Sequence, residues 1–308
     1  MEKHKQVFII AELSANHNGS LQTALDTIKA VKRAGADAIK LQTYTADTIT
    51  IDSKKDDFKI KGTIWEDKYL YDLYQEAYTP WEWHQALFDE AKKQGLICFS
   101  SPIEYTASKG KPMIISTGIA TEEDIELALD ACYRMGNKDV TLLKCTSSYP
   151  APIEEANLVM IKDMAERYQV PTGLSDHTMG STAPIVSVCF GAKVIEKHFI
   201  LNRSIGGPDA SFSMNELEFA DMVKAVREAE KAIGVIDYSL TEKQQKGRDF
   251  CRSLYVVEDI KAGEEITEKN VRSIRPGFGL HPKYYKEILG KKVKEDLEKG
   301  ERFLFENI

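Results

Sequence analysis

The sequence predicts an α/β protein: a TIM-type (β/α) barrel that lacks one βα unit, followed by a small β-rich domain. Short apolar runs alternate with amphipathic, helix-like stretches over the first 240 residues. Beyond residue 240 the sequence pattern changes to short β-like runs separated by Gly and Pro. Strands that alternate with helices indicate a parallel sheet with right-handed crossovers. A chain of 308 residues is long enough for a barrel of about 250 residues and an appendage.

The number of strands predicts an incomplete barrel. Seven apolar runs are typical of strands, near residues 9, 41, 98, 115, 143, 173 and 196. A closed barrel of this type has eight strands. The shortfall lies between Pro102 and Pro112, where only about nine residues are available although a parallel crossover needs a dozen or more. We therefore expect one βα unit to be absent.

Six longer helices are predicted between and after the strands. They are Leu21–Ala34, Trp81–Gln94, Glu122–Met135, Ile153–Tyr168, Thr182–Phe190 and Glu216–Ile233. Residues 45–80 form a long aromatic and polar excursion between two of the predicted units. Loops of that length are usually functional or mobile, so this one is either part of a site or a decorative insertion.

The predicted domain organisation has three parts. The barrel covers residues 1–240, a polar linker covers 241–250, and a terminal β-rich domain covers 251–308. Within the terminal domain, the sequence EDIKAGE at 258–264 is echoed by EDLEKGE at 295–301. The echo favours turns that repeat within one small domain.

Charge and hydropathy limit the classes of partner. Hydrophobic residues make up 43% of the chain and charged residues 29%, which is ordinary for a globular protein. The net charge of −7 disfavours a nucleic-acid partner, because binding to a phosphate backbone needs a basic surface. A small anionic substrate remains compatible, since a few local cations suffice to bind it.

The sequence also predicts a cytoplasmic location. The first residues show no apolar segment typical of a signal peptide, and no apolar run is long enough to span a bilayer. Five scattered cysteines, an odd number, favour buried thiols in a reducing compartment over disulfides.

Two histidines follow neighbouring predicted strands, and both strands place polar residues at their carboxyl ends, where parallel α/β folds bind ligands. Because side chains alternate along a strand, Ser175 and His177 share a face, and so do Glu196 and His198. If both imidazoles point into one barrel mouth, they form a two-histidine metal site with open positions for substrate. Two hydrogen-bonded core histidines are the alternative, and the pattern alone leaves both open.

The motifs together resemble the sialic acid synthase family, whose members condense phosphoenolpyruvate with an amino sugar. The resemblance covers nearly the whole chain in order, and KCTSSYPAP and RSIRPGFGLHPKY look most like pseudaminic acid synthases within that family. The segments that carry it are Glu12 with 16–19, 40–43, 99–102, 145–150, 175–178, 196–199, 207–209 and 275–279. The resemblance implies that the terminal domain is a β-clip, antifreeze-like (SAF) domain.

The resemblance also implies roles for matching positions. Catalysis would involve Glu12 as acid/base with His177 and His198, and these two histidines would hold a divalent metal such as Mn, Mg or Co. The implied substrate-binding residues are Lys40, Gln42, Ser101, Ser147, Tyr149, Ser175, Asp209 and Arg275. Of these, Lys40, Ser101, Ser147 and Ser175 would line the phosphoenolpyruvate pocket, and Tyr149 and Asp209 would face the sugar. Arg275 would come from the β-clip domain of the other subunit in a domain-swapped homodimer.

The implied reaction joins phosphoenolpyruvate to 2,4-diacetamido-2,4,6-trideoxy-altrose and releases pseudaminic acid and phosphate. An N-acetylneuraminate or legionaminate synthase is the alternative, because these sugars differ by a few polar groups. A second alternative is a catalytically impaired descendant, since family members carry a lysine, a serine and a glutamate on the βα unit that this chain lacks. Another phosphoenolpyruvate-using barrel is disfavoured by the β-clip tail with Arg275.

Overall fold

A computed structural model describes residues 6–100 and 107–308 of the chain. The chain divides into two compact units, Met1–Gly234 and Val235–Ile308. The segmentation expected from the sequence, with a linker at 241–250, stays a prediction. In the described residues no helix combines the length and apolar character needed to cross a bilayer.

The first unit is a seven-stranded parallel sheet with helices between its strands. The strands are β1 (Phe8–Glu12), β2 (Ala38–Leu41), β3 (Ile97–Ser100), β4 (Met113–Ser116), β5 (Val140–Cys145), β6 (Thr172–Asp176) and β7 (Val194–His198). Their order in the sheet is β3-β2-β1-β7-β6-β5-β4. All seven predicted strands are therefore confirmed, and the described parts of β3 and β4 share no ladder. Over residues 6–100 and 107–234 the fold is of TIM type with seven strands, one βα unit fewer than a closed barrel has, as the sequence predicts.

Helices of the first unit follow the predicted pattern with small shifts at their ends. They are α1 (Leu21–Arg33), α2 (Ala46–Ile49), α3 (Leu70–Ala77), α4 (His84–Gln94), α5 (Glu122–Arg134), α6 (Val159–Tyr168), α7 (Thr182–Cys189) and α8 (Glu216–Ile233). The predicted helix Ile153–Tyr168 is shorter, because Ile153–Glu155 is a separate 3-10 turn. Similarly, Trp81–Trp83 is a 3-10 turn before α4. The excursion at 45–80 contains α2 and α3.

Caps explain why the helices begin where they do. The Ser20 side chain accepts a hydrogen bond from the Thr23 amide at the start of α1. Asn215 and Glu218 form a capping box that begins α8, and each side chain accepts from the other's backbone amide. Such caps satisfy amides that have no partner within the helix.

Two layers of apolar side chains hold the sheet. The larger cluster lies between the outer face of the strands and the helices; it includes Ile9, Ile39, Ile195 and Phe219. A smaller cluster with Ile10, Leu143 and Val194 fills the inner face below the strand ends. Gly173 on β6 allows the close approach of its neighbours, because a Cβ there would lie 2.2 Å from the Val194 carbonyl oxygen. The inner core therefore ends one layer below the polar residues at the strand ends.

The second unit has its own hydrophobic core. It contains α9 (Glu242–Gly247), the antiparallel pair β8 (Ser253–Val256) and β9 (Val271–Ile274), and α10 (Tyr285–Ile288). Its core includes Leu254, Ile260, Leu297 and Phe303. The echoed segments meet in this unit, because Ile260 and Leu297 exchange backbone hydrogen bonds of 2.9 and 2.8 Å.

All five cysteines are free thiols. Cys132 and Cys145 are buried and Cys98 is half-buried, but Cys189 and Cys251 are exposed. The expectation of buried thiols was therefore wrong for the last two, because Cys189 ends a short helix and Cys251 precedes β8 outside the core.

Candidate active site

His177 and His198 come together at the carboxyl ends of neighbouring strands. His198 is the last residue of β7, and His177 directly follows β6. Both side chains are about 5% exposed, and their ring centroids lie 5.1 Å apart. The alternation of side chains along the strands therefore brings the two imidazoles to one face, at the mouth of the barrel.

Glu12 joins the histidines because β1 pairs with β7. In the ladder Glu12 lies opposite His198, and its Oε2 is 3.4 Å from Nε2 of that ring. One possible ligand atom from each of Glu12, His177 and His198 lies within 4.8 Å of the others. A separation of 186 positions along the chain is thus closed by strand pairing.

Hydrogen bonds at the two rings fit a metal site. Nδ1 of His177 lies 2.5 Å from the Thr146 carbonyl oxygen, which can only accept, so Nδ1 carries a proton and, in the neutral ring, Nε2 keeps its lone pair. Nδ1 of His198 is buried and has no hydrogen-bond partner among the residues that the structure describes; it lies 3.6 Å from Asp209 Oδ2. Metal-binding histidines typically donate the N–H that faces away from the metal to a carbonyl oxygen or a carboxylate, which fixes the tautomer. Two imidazoles and a carboxylate fit a divalent transition metal, with positions open for substrate.

Lys40 lies between two carboxylates at the same level. Its Nζ is 3.1 Å from Glu12 and 2.9 Å from Glu196, which also accepts a hydrogen bond of 3.0 Å from Ser175 Oγ. Burial would raise the pKa of Glu12, but Lys40 and the histidines outweigh it and lower that pKa to about 2. Burial raises the pKa of Glu196, and Glu12 adds to that rise. The two carboxylates therefore differ in acidity although they share one cation.

Burial and neighbouring side chains also shift the pKa values of the two histidines and of Cys145. Burial lowers the pKa of His198. Burial acts the same way on His177, but its contacts with Cys145 and Glu12 outweigh this effect and raise its pKa. Burial would raise the pKa of the Cys145 thiol, yet hydrogen bonds with His177 and Ser116 lower it to about 7.

A cavity of about 440 Å³ opens above these residues. Five of the sequence-predicted substrate residues line it together with the three proposed catalytic residues: Lys40, Gln42, Tyr149, Ser175 and Asp209. The Tyr149 ring lies 4.3 Å from the His177 ring, centroid to centroid. Asp209 accepts a hydrogen bond of 2.5 Å from Ser14 Oγ, which ties its loop to the end of β1.

Two predicted substrate residues, Ser147 and Arg275, are not among the described residues that line the cavity. Ser147 is exposed, and its Oγ lies 3.7 Å from Cys145 Sγ. Arg275 is exposed on the second unit, directly after β9. Ser101 lies outside the described residues.

Sequence reasoning did not include several cavity residues among the candidates. Glu196 could have been found, because alternation along β7 places it on the same face as His198. Ser14 and Cys145 adjoin strand ends but carried no signal of their own. Tyr44 follows β2 and Trp65 lies in the long excursion at 45–80; both line the cavity, but both lie outside regular strands, where periodicity does not predict the direction of a side chain.

Comparison with known proteins supports one family. The NeuB family model matches residues 27–106 and 103–238, and the SAF domain model matches residues 252–308. A pseudaminic acid synthase of Campylobacter jejuni (strain 81-176) is 48% identical, over 96% of this chain and 95% of the relative. An N,N'-diacetyllegionaminic acid synthase of Legionella pneumophila is 31% identical, over 98% and 94%. The crystal structure of spore coat polysaccharide biosynthesis protein SpsE from Bacillus subtilis is similar with a TM-score of 0.64 and 28% identity, over 99% and 96%.

The alignments also show where this chain is shorter. The match to the Campylobacter relative extends over 326 aligned positions, and 96% of 308 residues is about 296, so about 30 positions have no counterpart here. The NeuB model matches in two pieces that meet at residues 103–106, in the interval where the sequence predicts a missing βα unit. The chain therefore belongs to the NeuB family of sialic acid synthase-like proteins and carries a SAF domain at residues 252–308, although one βα unit of the family has no counterpart in it.

Proposed function

We propose that this protein condenses phosphoenolpyruvate with 2,4-diacetamido-2,4,6-trideoxy-altrose to give pseudaminic acid and phosphate. The observation that carries the proposal is the buried group of Glu12, His177 and His198, with the half-buried Lys40 beside it, in a chain 48% identical to a pseudaminic acid synthase. A reaction that consumes phosphoenolpyruvate also fits the proposed cytoplasmic location.

The chemistry needs both kinds of charge that the cavity offers. C3 of phosphoenolpyruvate attacks the aldehyde carbon of the open-chain sugar, and the aldehyde oxygen takes up a proton to become a hydroxyl. Water adds to C2 and gives up a proton. The bond from C2 to the phosphate oxygen then breaks, which releases phosphate and leaves a ketone at C2. Lys40, whose side chain is 17% exposed, lines the cavity and would offset the charge of the phosphate. Glu196 would be a positioning residue, because it holds Lys40 and is itself held by Ser175.

Glu12 would act as the base. A carboxyl group with a pKa of about 2 is ionised at neutral pH, so it can accept a proton but has none to give in the first step. The proton would come from the water that adds to C2 or from the sugar hydroxyl during ring opening. Fixing both substrates against these groups supplies much of the acceleration.

We further propose that His177 and His198 hold a divalent metal, Mn, Mg or Co, with Glu12 as a third donor. Such an ion would supply Lewis-acid polarisation of the aldehyde oxygen. Titration of the metal-free protein with Mn²⁺, followed by electron paramagnetic resonance, should show one tight site that His177→Ala abolishes. The matched control is His281→Ala in the second unit, which should bind as the wild type does. Equal binding by the wild type and His177→Ala would contradict the site.

Phosphate release tests the reaction. The protein, phosphoenolpyruvate, Mn²⁺ and the diacetamido sugar should release phosphate, and omission of the sugar should stop the release. Release that depends on N-acetylmannosamine or on the legionaminate precursor would instead support the alternative synthases; the 31% identity to a legionaminic acid synthase gives that alternative less support.

The missing βα unit supports a second alternative, a catalytically impaired descendant. About 30 aligned positions of the Campylobacter relative have no counterpart here, and the family resemblance implies that this segment would supply a strand and substrate-binding side chains. Grafting the corresponding segment of the Campylobacter relative between Pro102 and Pro112 tests it. A gain in turnover of about 100-fold or more would indicate impairment, since misplaced catalytic groups cost rates of that order. Equal turnover would exclude it.

We also propose a homodimer in which Arg275 of one chain completes the site of the other. The test mixes two inactive variants, Arg275→Ala and His177→Ala. Random exchange of subunits should restore about one quarter of the wild-type activity. About half of the dimers would be mixed, and one of the two sites in each mixed dimer would be intact. No recovery, with dimers present by light scattering, would contradict the swap.

A further inference from the structure

The cavity has two chemically different sides. The strand ends supply the charged side, which holds Glu12, Lys40, Glu196 and Asp209. The opposite side comes from the excursion at 45–80 and is mainly apolar and aromatic. We call it the apolar wall; it consists of Ile60, Trp65, Leu70, Leu73, Tyr74 and Ala77.

Local structure holds the apolar wall in place. Residues 59–69 form a hairpin-like turn, with a bridge between Lys59 and Tyr69 and a hydrogen bond of 2.9 Å from the Ile60 amide to the Lys68 carbonyl. The ion pair of Lys59 with Asp67, at 2.7 Å, closes the same turn. Two further members of the apolar wall, Leu73 and Ala77, lie on α3 and are buried. The wall is therefore an ordered part of the site and not a decorative insertion.

Trp65 links the apolar wall to the charged side. Its indole N–H donates a hydrogen bond of 2.9 Å to the carbonyl oxygen of Pro208, the residue before Asp209. Its ring lies 5.5 Å from that of Tyr149, centroid to centroid. Trp65 thus spans the cavity from the excursion to the loop that follows β7.

Trp65 and Pro208 also separate the cavity from an outer cleft of about 1000 Å³, which they line together with Lys68 and Arg203. Both of these cations are already paired, Lys68 with Glu76 and Arg203 with Glu218. Because both cations are paired, the cleft would bind an anion weakly. It fits the solvent side of the part of the cavity that would hold the sugar.

We propose that the apolar wall binds the methyl groups of the sugar, both those of its two acetamido substituents and the one at C6, and that Trp65 is a specificity-determining residue. This inference rests on the proposed function, since it assigns the substrate class of the same cavity. The reactive, charged groups of both substrates would face the strand ends. The apolar groups of a diacetamido trideoxy sugar would then contact Trp65, Leu73 and Tyr74, whereas hydroxyl groups in their place would lose water without gaining a partner.

Kinetics of Trp65 variants test the inference. Trp65→Ala should lower kcat/KM for the diacetamido sugar by about 10-fold or more, since apolar groups in a pocket discriminate on that scale. The KM for phosphoenolpyruvate should change less than about twofold, because that substrate lies on the charged side. The preference over N-acetylmannosamine should narrow. Trp65→Phe keeps the ring but loses the hydrogen bond to Pro208, so its effect should be intermediate. Trp81→Ala is the control, because Trp81 is 59% exposed and is not among the described lining residues.

Binding gives a second readout that does not need turnover. Addition of the diacetamido sugar should change the tryptophan fluorescence of the wild type but not that of Trp65→Phe. A fluorescence change in the wild type but not in Trp65→Phe, in a protein that releases no phosphate, would contradict the proposed function and support the inference. Turnover with an unchanged sugar preference in Trp65→Ala would contradict the inference and leave the proposed function intact. Absence of sugar binding in the wild type would contradict both.

Discussion

Replacing Lys197 with Met removes the cation of an ion pair that lies on the outer face of the strands that carry the two site histidines. Lys197 and Asp176 are register partners on β7 and β6, and their side chains are only 2% and 0% exposed. The Lys197 Nζ lies 2.5 Å from Asp176 Oδ2 and 2.6 Å from the Thr178 carbonyl oxygen. The variant leaves a buried carboxylate without its cation.

The structure sets the size of the expected loss. Breaking a buried ion pair by removing one partner costs about 3–5 kcal/mol. Asp176 would keep two hydrogen bonds, from the Thr178 amide at 3.0 Å and the Thr178 hydroxyl at 3.2 Å. Because these donors stabilise the remaining charge, we expect the low end of the range, about 3 kcal/mol. That loss is large beside a typical total stability of about 5–15 kcal/mol.

Guanidinium unfolding followed by tryptophan fluorescence measures this loss in the first unit, because all three tryptophans lie there. The control is Lys193→Met, an exposed lysine just before β7, which should change stability by less than about 0.5 kcal/mol. Adding Asp176→Asn to Lys197→Met should recover part of the loss, since it removes the uncompensated charge. A loss below about 1 kcal/mol in Lys197→Met, or no recovery in the double variant, would refute the reasoning.

Two further predictions concern a close contact and a charged cap. Gly173→Ala should destabilise the first unit by about 3 kcal/mol or more and reduce the yield of folded protein, because the new Cβ would lie 2.2 Å from the Val194 carbonyl oxygen and such overpacking forces the backbone to move. The control is Gly247→Ala, whose Cβ would meet no described atom within 4 Å and should leave stability unchanged. Equal melting curves for the two variants would contradict this expectation. Glu218→Gln should lower stability at pH 7, since hydrogen bonds from Arg203 depress the pKa of Glu218 below its ordinary value of 4.5. A depressed carboxyl pKa contributes stability above the ordinary value and loses it as the pH falls through the folded pKa, so the difference from the wild type should shrink below pH 4.5; a constant difference would argue against the charge.

Local patterns determined most of the first unit. The apolar runs and the caps of α1 and α8 specified seven strands and most helix ends, because strand alternation and helix capping depend on residues a few positions apart. The same alternation placed Glu196 and His198 on one face of β7. The small number of residues between Pro102 and Pro112 located the shortfall of one βα unit, because a parallel crossover needs a dozen or more residues.

Tertiary structure decided which distant residues share the site. Pairing of β1 with β7 puts Glu12 beside His198, and pairing of β1 with β2 puts Lys40 beside Glu12. No periodicity in the sequence encodes these neighbours, because strand order depends on the path of the whole sheet. The pKa of Glu12 and the crossing of Trp65 to Pro208 follow from the same assembly. The sequence by itself thus determined the elements and the faces of their side chains, whereas the charges that meet at the barrel mouth depend on contacts that only the folded chain makes.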